Sequence, residues 1–192
     1  GCGKTHLAAS VANRCMEKGV PALFVTVPDL LDHLRSTYAP SSYISYDELF
    51  EQVKNAPFLV LDDLGTENAT SWAKEKLFQL LNHRFSDNLP TIITTSISLH
   101  QMEDRLRTRL SSDISRIMDM GFHRAIGLPD LGMPEPALLK RMSFASFDVR
   151  GNRKAGRKQQ EALQSAFHLA KTFAEDPHGW LVFLGPTGTG KT

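Results

Sequence analysis

The chain has 192 residues, with 22 Lys plus Arg against 21 Asp plus Glu and 41% hydrophobic residues. At roughly 100–200 residues per domain this is material for one well-cored domain, and a net charge of +1 argues against a charged disordered tail and against any global basic signature for nucleic acid. Two cysteines, Cys2 and Cys15, without a signal-peptide core, argue against a disulfide scaffold and suit a reducing cytoplasm; the longest apolar runs fall short of the ~20 residues a membrane helix needs.

His6 to Lys18 carries apolar residues at helical spacing and stops at Gly19. Pro21 to Thr26 is a short apolar run that fits a strand buried on both faces. Helical spacing returns over Pro28 to Tyr38 and Tyr46 to Asn55, separated by the turn signal Ala39-Pro40-Ser41-Ser42. Phe58 to Asp63 reads as a buried strand whose tip holds two carboxylates. Thr70 to Phe85 is the longest predicted helix, with Trp72, Leu77, Leu80, Leu81 and Phe85 on one side. Thr91 to Thr95 is a β-branched strand, Leu99 to Leu110 an arginine-rich helix, and Ser115 to Met120 a further strand.

Gly121 to Gly156, punctuated by Gly127, Pro129, Gly132, Pro134 and Pro136, reads as a linker with little regular structure. Gln159 to Phe173 resumes as a helix, and Trp180 to Leu184 is a strand running into a glycine-rich loop. Alternating strands and helices predict a three-layer α/β fold around a parallel sheet.

That glycine-rich loop, Gly185-Pro186-Thr187-Gly188-Thr189-Gly190-Lys191-Thr192, matches the phosphate-loop pattern of Gly, four residues, Gly-Lys-Thr. Backbone N–H groups curl around phosphate oxygens, the lysine reaches the terminal phosphates, and the threonine hydroxyl binds Mg²⁺. Gly1-Cys2-Gly3-Lys4-Thr5 repeats the second half of the pattern and leads into a predicted helix, whose N-terminus would favour phosphate. Each stretch holds the part the other lacks.

Phe58-Leu59-Val60-Leu61-Asp62-Asp63 fits the acidic-strand motif of nucleotide hydrolases. Asp62 would hold the Mg²⁺ and Asp63 polarise the attacking water; the plainer reading is a pair of turn aspartates. Thr94, Thr95 and Ser96 end the next strand, where a hydroxyl would orient the water, and Ser96 is the expected residue. Arg105 and Arg109 lie four apart on one helical face. They are either a solvated surface paired with Glu103 and Asp104 or a source of positive charge for a neighbour's phosphates.

Five stretches together resemble AAA+ ATPases of the DnaC/DnaI helicase-loader type, close to the IstB transposition helpers: residues 1–9, 58–65, 76–85, 90–95 and 104–110. The resemblance implies a P-loop NTPase core, ATP and Mg²⁺ as ligands, and ATP hydrolysis with Arg109 acting on a neighbouring subunit; the alternatives are an IstB-like transposition-helper ATPase and a nucleotide-dependent assembly module with negligible hydrolysis. It implies a replicative helicase and single-stranded DNA as partners and self-association through Arg109. Carried over by position, Lys191 or Lys4 is the phosphate-loop lysine, Thr192 or Thr5 the Mg²⁺ ligand, and Asp62 and Asp63 the acidic pair. Ser96 stands where such proteins usually carry Asn, and Asp63 where Glu is commoner.

In the family the stretch resembling Arg141 through Trp180 precedes the phosphate loop, whereas here it follows the last core strand. The order predicts a circularly permuted domain or a slice of a tandem repeat: a core over residues 1–120, a linker over 121–156, and a helix, strand and complete loop over 157–192 of the same or a following domain. In a permuted domain Trp180 to Leu184 would have to insert between strands formed earlier, or else enter a neighbouring molecule.

Arg150, Arg153, Lys154, Arg157 and Lys158 form a local basic cluster that suits either a phosphate backbone or plain solvation. His6 reads as a helix-start residue, and Trp72 and Trp180 as core anchors.

Overall fold

A computed structural model describes residues 3–37, 45–65, 70–120, 136–151 and 156–185. Five parallel strands form one sheet: β1 (Ala22–Thr26), β2 (Phe58–Leu64), β3 (Thr91–Thr95), β4 (Ser115–Asp119) and β5 (Trp180–Leu184), in the order β1-β2-β3-β5-β4. The last strand of the chain is therefore not at an edge. It pairs with β3 on one side and β4 on the other, with Trp180 level with both Thr91 and Ser115.

Strand side chains alternate between the faces of the sheet, and both faces are covered. Leu59, Leu61, Ile93, Trp180, Val182 and Leu184 point into one apolar core, built with α2 (Val27–Ser36), α3 (Tyr46–Lys54), α4 (Ser71–Ser86) and α5 (Asp104–Leu110). Phe58, Val60, Ile92, Leu181 and Phe183 point into the other, under α1 (Lys4–Glu17) and α7 (Arg157–Glu175). This double burial is why the central strands read as continuous apolar runs and why the sheet is parallel.

Some helices begin where a side chain partners the orphan amides of the first turn. Ser45 and Glu48 form a reciprocal capping box at α3, and the Thr70 hydroxyl accepts from Ala73 N at the start of α4. The predicted helix over Leu99 to Leu110 is interrupted: a 3₁₀ turn at Leu99–Gln101 is followed by extended backbone at Met102, and α5 starts afresh at Asp104. Met102 is buried against the core, so the chain turns inward there.

Of the 121–156 stretch, residues 136–151 and 156 are described, and they hold little regular structure. A short helix, α6 (Pro136–Arg141), and the turns that follow lie on α1, where Asn13 Nδ2 donates to Leu139 O (3.0 Å) and Met142 O (2.7 Å). His6, expected only to start a helix, hydrogen-bonds through Nε2 to Ser143 O and Ser146 Oγ and meets the Phe147 ring edge-on at 5.2 Å.

Arg84 of α4 is wholly buried and makes no ion pair among the described residues. Its guanidinium donates to Val53 O, Lys54 O, Ala56 O, Pro90 O and Thr91 Oγ1, pinning the end of α4 to the approaches of β2 and β3. Burial lowers its pKa to about 10, which leaves it charged at neutral pH. Arg84→Met keeps the apolar stem but strips a donor from four carbonyls, two of them in buried bonds; at about 1–3 kcal/mol for each orphaned buried group, partly relieved by relaxation, a loss of about 3 kcal/mol is expected in the unfolding free energy, read as a lowered urea denaturation midpoint. An unchanged midpoint would show that the carbonyls find other partners.

A candidate nucleotide site at the strand ends

The C-terminal ends of β2, β3 and β5 converge with the N-terminus of α1. Gly3 precedes α1 with φ 85°, a left-handed conformation that glycine adopts without strain. A Cβ there would lie 2.6 Å from the Phe147 ring. No side chain caps α1, so its leading amides carry the positive end of the helix dipole towards the strand ends.

Lys4, only 5% exposed, donates from Nζ to Gly185 O at 2.7 Å, just beyond β5. Thr5 turns its hydroxyl to Asp62, 3.0 Å from Oδ2 and 3.2 Å from Oδ1. The second phosphate-loop half and the acidic strand end, far apart in sequence, are thus in direct contact.

A bulge shapes the end of β2. Leu61 pairs with Ile93 but Leu64 pairs with Thr95, so one extra residue is inserted on β2. Asp63 occupies it with φ 58°, a conformation that short polar residues tolerate better than bulky ones. Thr94 fills the gap in hydrogen bonding: its Oγ1 accepts from Asp63 N at 3.0 Å and donates to Asp62 Oδ1 at 2.6 Å. The Thr95 hydroxyl donates to Leu64 O at 2.6 Å, closing the other side of the bulge.

Asp62 is 1% exposed. Desolvation first, and then the neighbouring Asp63 charge, raise its pKa from 3.8 to about 6, against the opposing pull of the Thr94 and Thr5 hydrogen bonds and of Lys4. A buried carboxylate held near neutrality beside a second carboxylate and a hydroxyl is short of positive charge. The donors fit a magnesium ion, which takes hard oxygen ligands and is typically bound by one or two carboxylates together with substrate phosphates. No cluster of three or more His, Cys, Asp or Glu side chains that could hold a metal occurs among the described residues.

Ser96 lies half-buried just past the end of β3, while Thr94 within the strand makes the contact with the acidic pair. Both stand in the polar run ending that strand, and residue type alone does not separate them. Arg109 lies on α5 with its guanidinium 4.8 Å over the Phe85 ring. Gly1, Cys2, Pro186, Thr187, Gly188, Thr189, Gly190, Lys191 and Thr192, expected around phosphate, lie outside the described residues, as do Arg153 and Lys154 of the basic cluster. Arg157 of that cluster is exposed and paired with Glu161 at 3.0 Å. Among the described residues no helix is long and apolar enough to cross a membrane.

Residues 1–125 match the family model described as IstB-like ATP binding protein. Among curated proteins, the chain is 33% identical over 104 residues to the replicative helicase loader DnaI of Bacillus subtilis, covering 54% of this chain and 32% of that protein. It is 29% identical over 110 residues to the replicative helicase loader DnaC of Escherichia coli K12, covering 57% of this chain and 44% of the loader. The DnaC loader of Buchnera aphidicola from Schizaphis graminum is 26% identical over 110 residues, covering 57% and 45%. The matches therefore span less than half the length of these relatives.

Proposed function

Since the chain belongs to the IstB-like ATP-binding protein family, we propose that it binds ATP with Mg²⁺ between α1 and the ends of β2, β3 and β5 and hydrolyses it when assembled with a neighbouring subunit. The observation that carries this reading is the contact of Thr5 and Thr94 with the buried Asp62 beside Lys4. Residues 1–120 and 157–192 act in this reading as one nucleotide-binding unit joined by 121–156, supported by the pairing of β5 with both β3 and β4.

Lys4 transfers its ammonium from Gly185 O to the terminal phosphates, and the amides of the first turn of α1 hold the phosphate oxygens. Asp62 and the Thr5 hydroxyl would hold Mg²⁺, which would supply positive charge to offset the charge developing on the phosphate. Asp63 orients a water for in-line attack on the γ-phosphorus and takes its proton as the bond to ADP breaks. Thr94 fixes both aspartates, one through its side chain and one through its backbone. Arg109 acts on the nucleotide of the adjacent subunit, which makes turnover dependent on self-association.

Helicase loading is the named role of the DnaI and DnaC relatives; for this chain a replicative helicase is the proposed partner, with single-stranded DNA as a further ligand. A second reading is a transposition-helper ATPase, in keeping with the match of residues 1–125 to an IstB-like ATP binding protein. Stimulation of turnover by a replicative helicase rather than by a transposase separates them.

The metal role is tested by MgATP affinity against pH. Because Asp62 must lose its proton to bind Mg²⁺ and does so near pH 6, the Mg²⁺-dependent part of the affinity is expected to be full above pH 7 and to fall about tenfold per unit below pH 6. Asp62→Asn should remove that component and leave only the slope of ATP's own protonation. Equal pH profiles for wild type and variant would contradict the role given to Asp62.

A further inference from the structure

Of the three arginines on α5, only Arg107 is paired with a carboxylate, at 2.6 Å from Asp104. Arg105 and Arg109 have no acidic partner among the described residues, and each lies over an aromatic ring of α4: Arg105 at 5.6 Å from Phe78 and Arg109 at 4.8 Å from Phe85. Rings at i and i+7 on α4 thus face guanidinium groups at i and i+4 on α5. A guanidinium held over a ring is not neutralised, whereas a carboxylate partner would occupy its N–H fork and cancel its charge.

The two rings are not equally fixed. Phe85 meets the indole of Trp180 edge-on, with centroids 5.8 Å apart and planes at 85°. Trp180 is wholly buried and opens β5, the strand that leads to Gly185, whose carbonyl accepts from Lys4. Phe85 therefore rests on the rigid centre of the sheet, while Phe78 lines an open groove with Phe50, Lys54 and Gln79.

We propose that Phe85 is a positioning residue: its ring, backed by Trp180, holds the guanidinium of Arg109 without neutralising its charge, which stays available to an anionic phosphoryl group of an adjacent subunit. The inference rests on Arg109 acting in trans and explains why Arg109, rather than Arg105, has that role. Phe85 touches no reacting atom; it acts through Arg109 alone.

The test compares Phe85→Leu, which keeps apolar bulk without an aromatic face, with Phe85→Tyr, which keeps the face. Steady-state ATP turnover and MgATP affinity are measured for both in the wild-type and Arg109→Ala backgrounds. Phe85→Leu should lower kcat by about three- to thirtyfold, the range a lost cation–π contact gives, with KM within about twofold. Phe85→Tyr should restore kcat, and Phe85→Leu should do nothing further once Arg109 is Ala. Intact MgATP binding verifies folding, and Phe85→Met is read in place of the leucine variant if that protein does not fold. Equal kcat for the aliphatic and aromatic variants, or the same loss in the Arg109→Ala background, overturns the proposal. Full turnover by Arg109→Ala alone overturns the trans-acting arginine itself, a separate result.

Discussion

Arg109→Ala is expected to reduce ATP turnover by about 1000-fold, the scale of a lost arginine finger, while MgATP affinity stays within about twofold of wild type. The expectation follows from where Arg109 is. It sits on α5, with its charge unpaired by any acid among the described residues and 4.8 Å over the Phe85 ring, whereas the binding groups lie on other elements, with Thr5 bonded to Asp62 and Lys4 to Gly185 O. Loss of Arg109 therefore removes charge stabilisation without altering the pocket that holds the nucleotide. Mixing Arg109→Ala with an Asp63→Asn variant should recover part of the turnover, because some interfaces then join an intact Asp63 with an intact Arg109. Equal loss of binding and turnover, or no recovery on mixing, would count against action between subunits.

Asp63→Asn should cost about 100- to 10 000-fold in kcat, the range of a lost general base, again with ATP binding retained. Its position supports this outcome. The bulge in β2 lifts Asp63 out of the ladder, and Thr94 accepts its N–H, so the backbone is held independently of the carboxylate. Asparagine also tolerates the φ of 58° found there, and the substitution removes charge without straining the turn. Loss of the Asp63 charge also lifts one of the two influences that raise Asp62. The variant should thus bind Mg²⁺ with Asp62 ionised at a lower pH than wild type, visible as a shifted affinity profile. Turnover equal to wild type would mean that the acid at this position only shapes the strand end.

Much of the architecture was legible from periodicity. The bounds of β3 and β5 coincide with the predicted Thr91 to Thr95 and Trp180 to Leu184, because both strands are apolar or β-branched throughout and end at sharp changes in residue type. The contact of Thr5 with Asp62 joins two motifs that the sequence marks separately, since few residue sets carry a Gly-Lys-Thr step or an apolar strand ending in two acids. Three things were hidden for physical reasons. Thr94 contacts Asp62 because a bulge shifts register between Leu61 and Leu64, and register shifts leave no periodic trace in a single sequence. Arg84 occupies the i+7 position of the stripe that begins Leu77, Leu80 and Leu81, yet its charge disguises a place in the core that five hydrogen bonds make tolerable. Met102 breaks the Leu99 to Leu110 helix by turning inward to the core, a tertiary preference that overrides helical propensity.

The central claim is an ATP site built on Lys4, Thr5, Asp62 and Asp63, and equilibrium binding of MgATP to the wild type, Lys4→Ala and Lys191→Ala tests it most directly. Removing a charge-assisted contact to phosphate should weaken binding by about 10- to 100-fold in Lys4→Ala and leave Lys191→Ala close to wild type. Full affinity in Lys4→Ala, or loss only in Lys191→Ala, would contradict it.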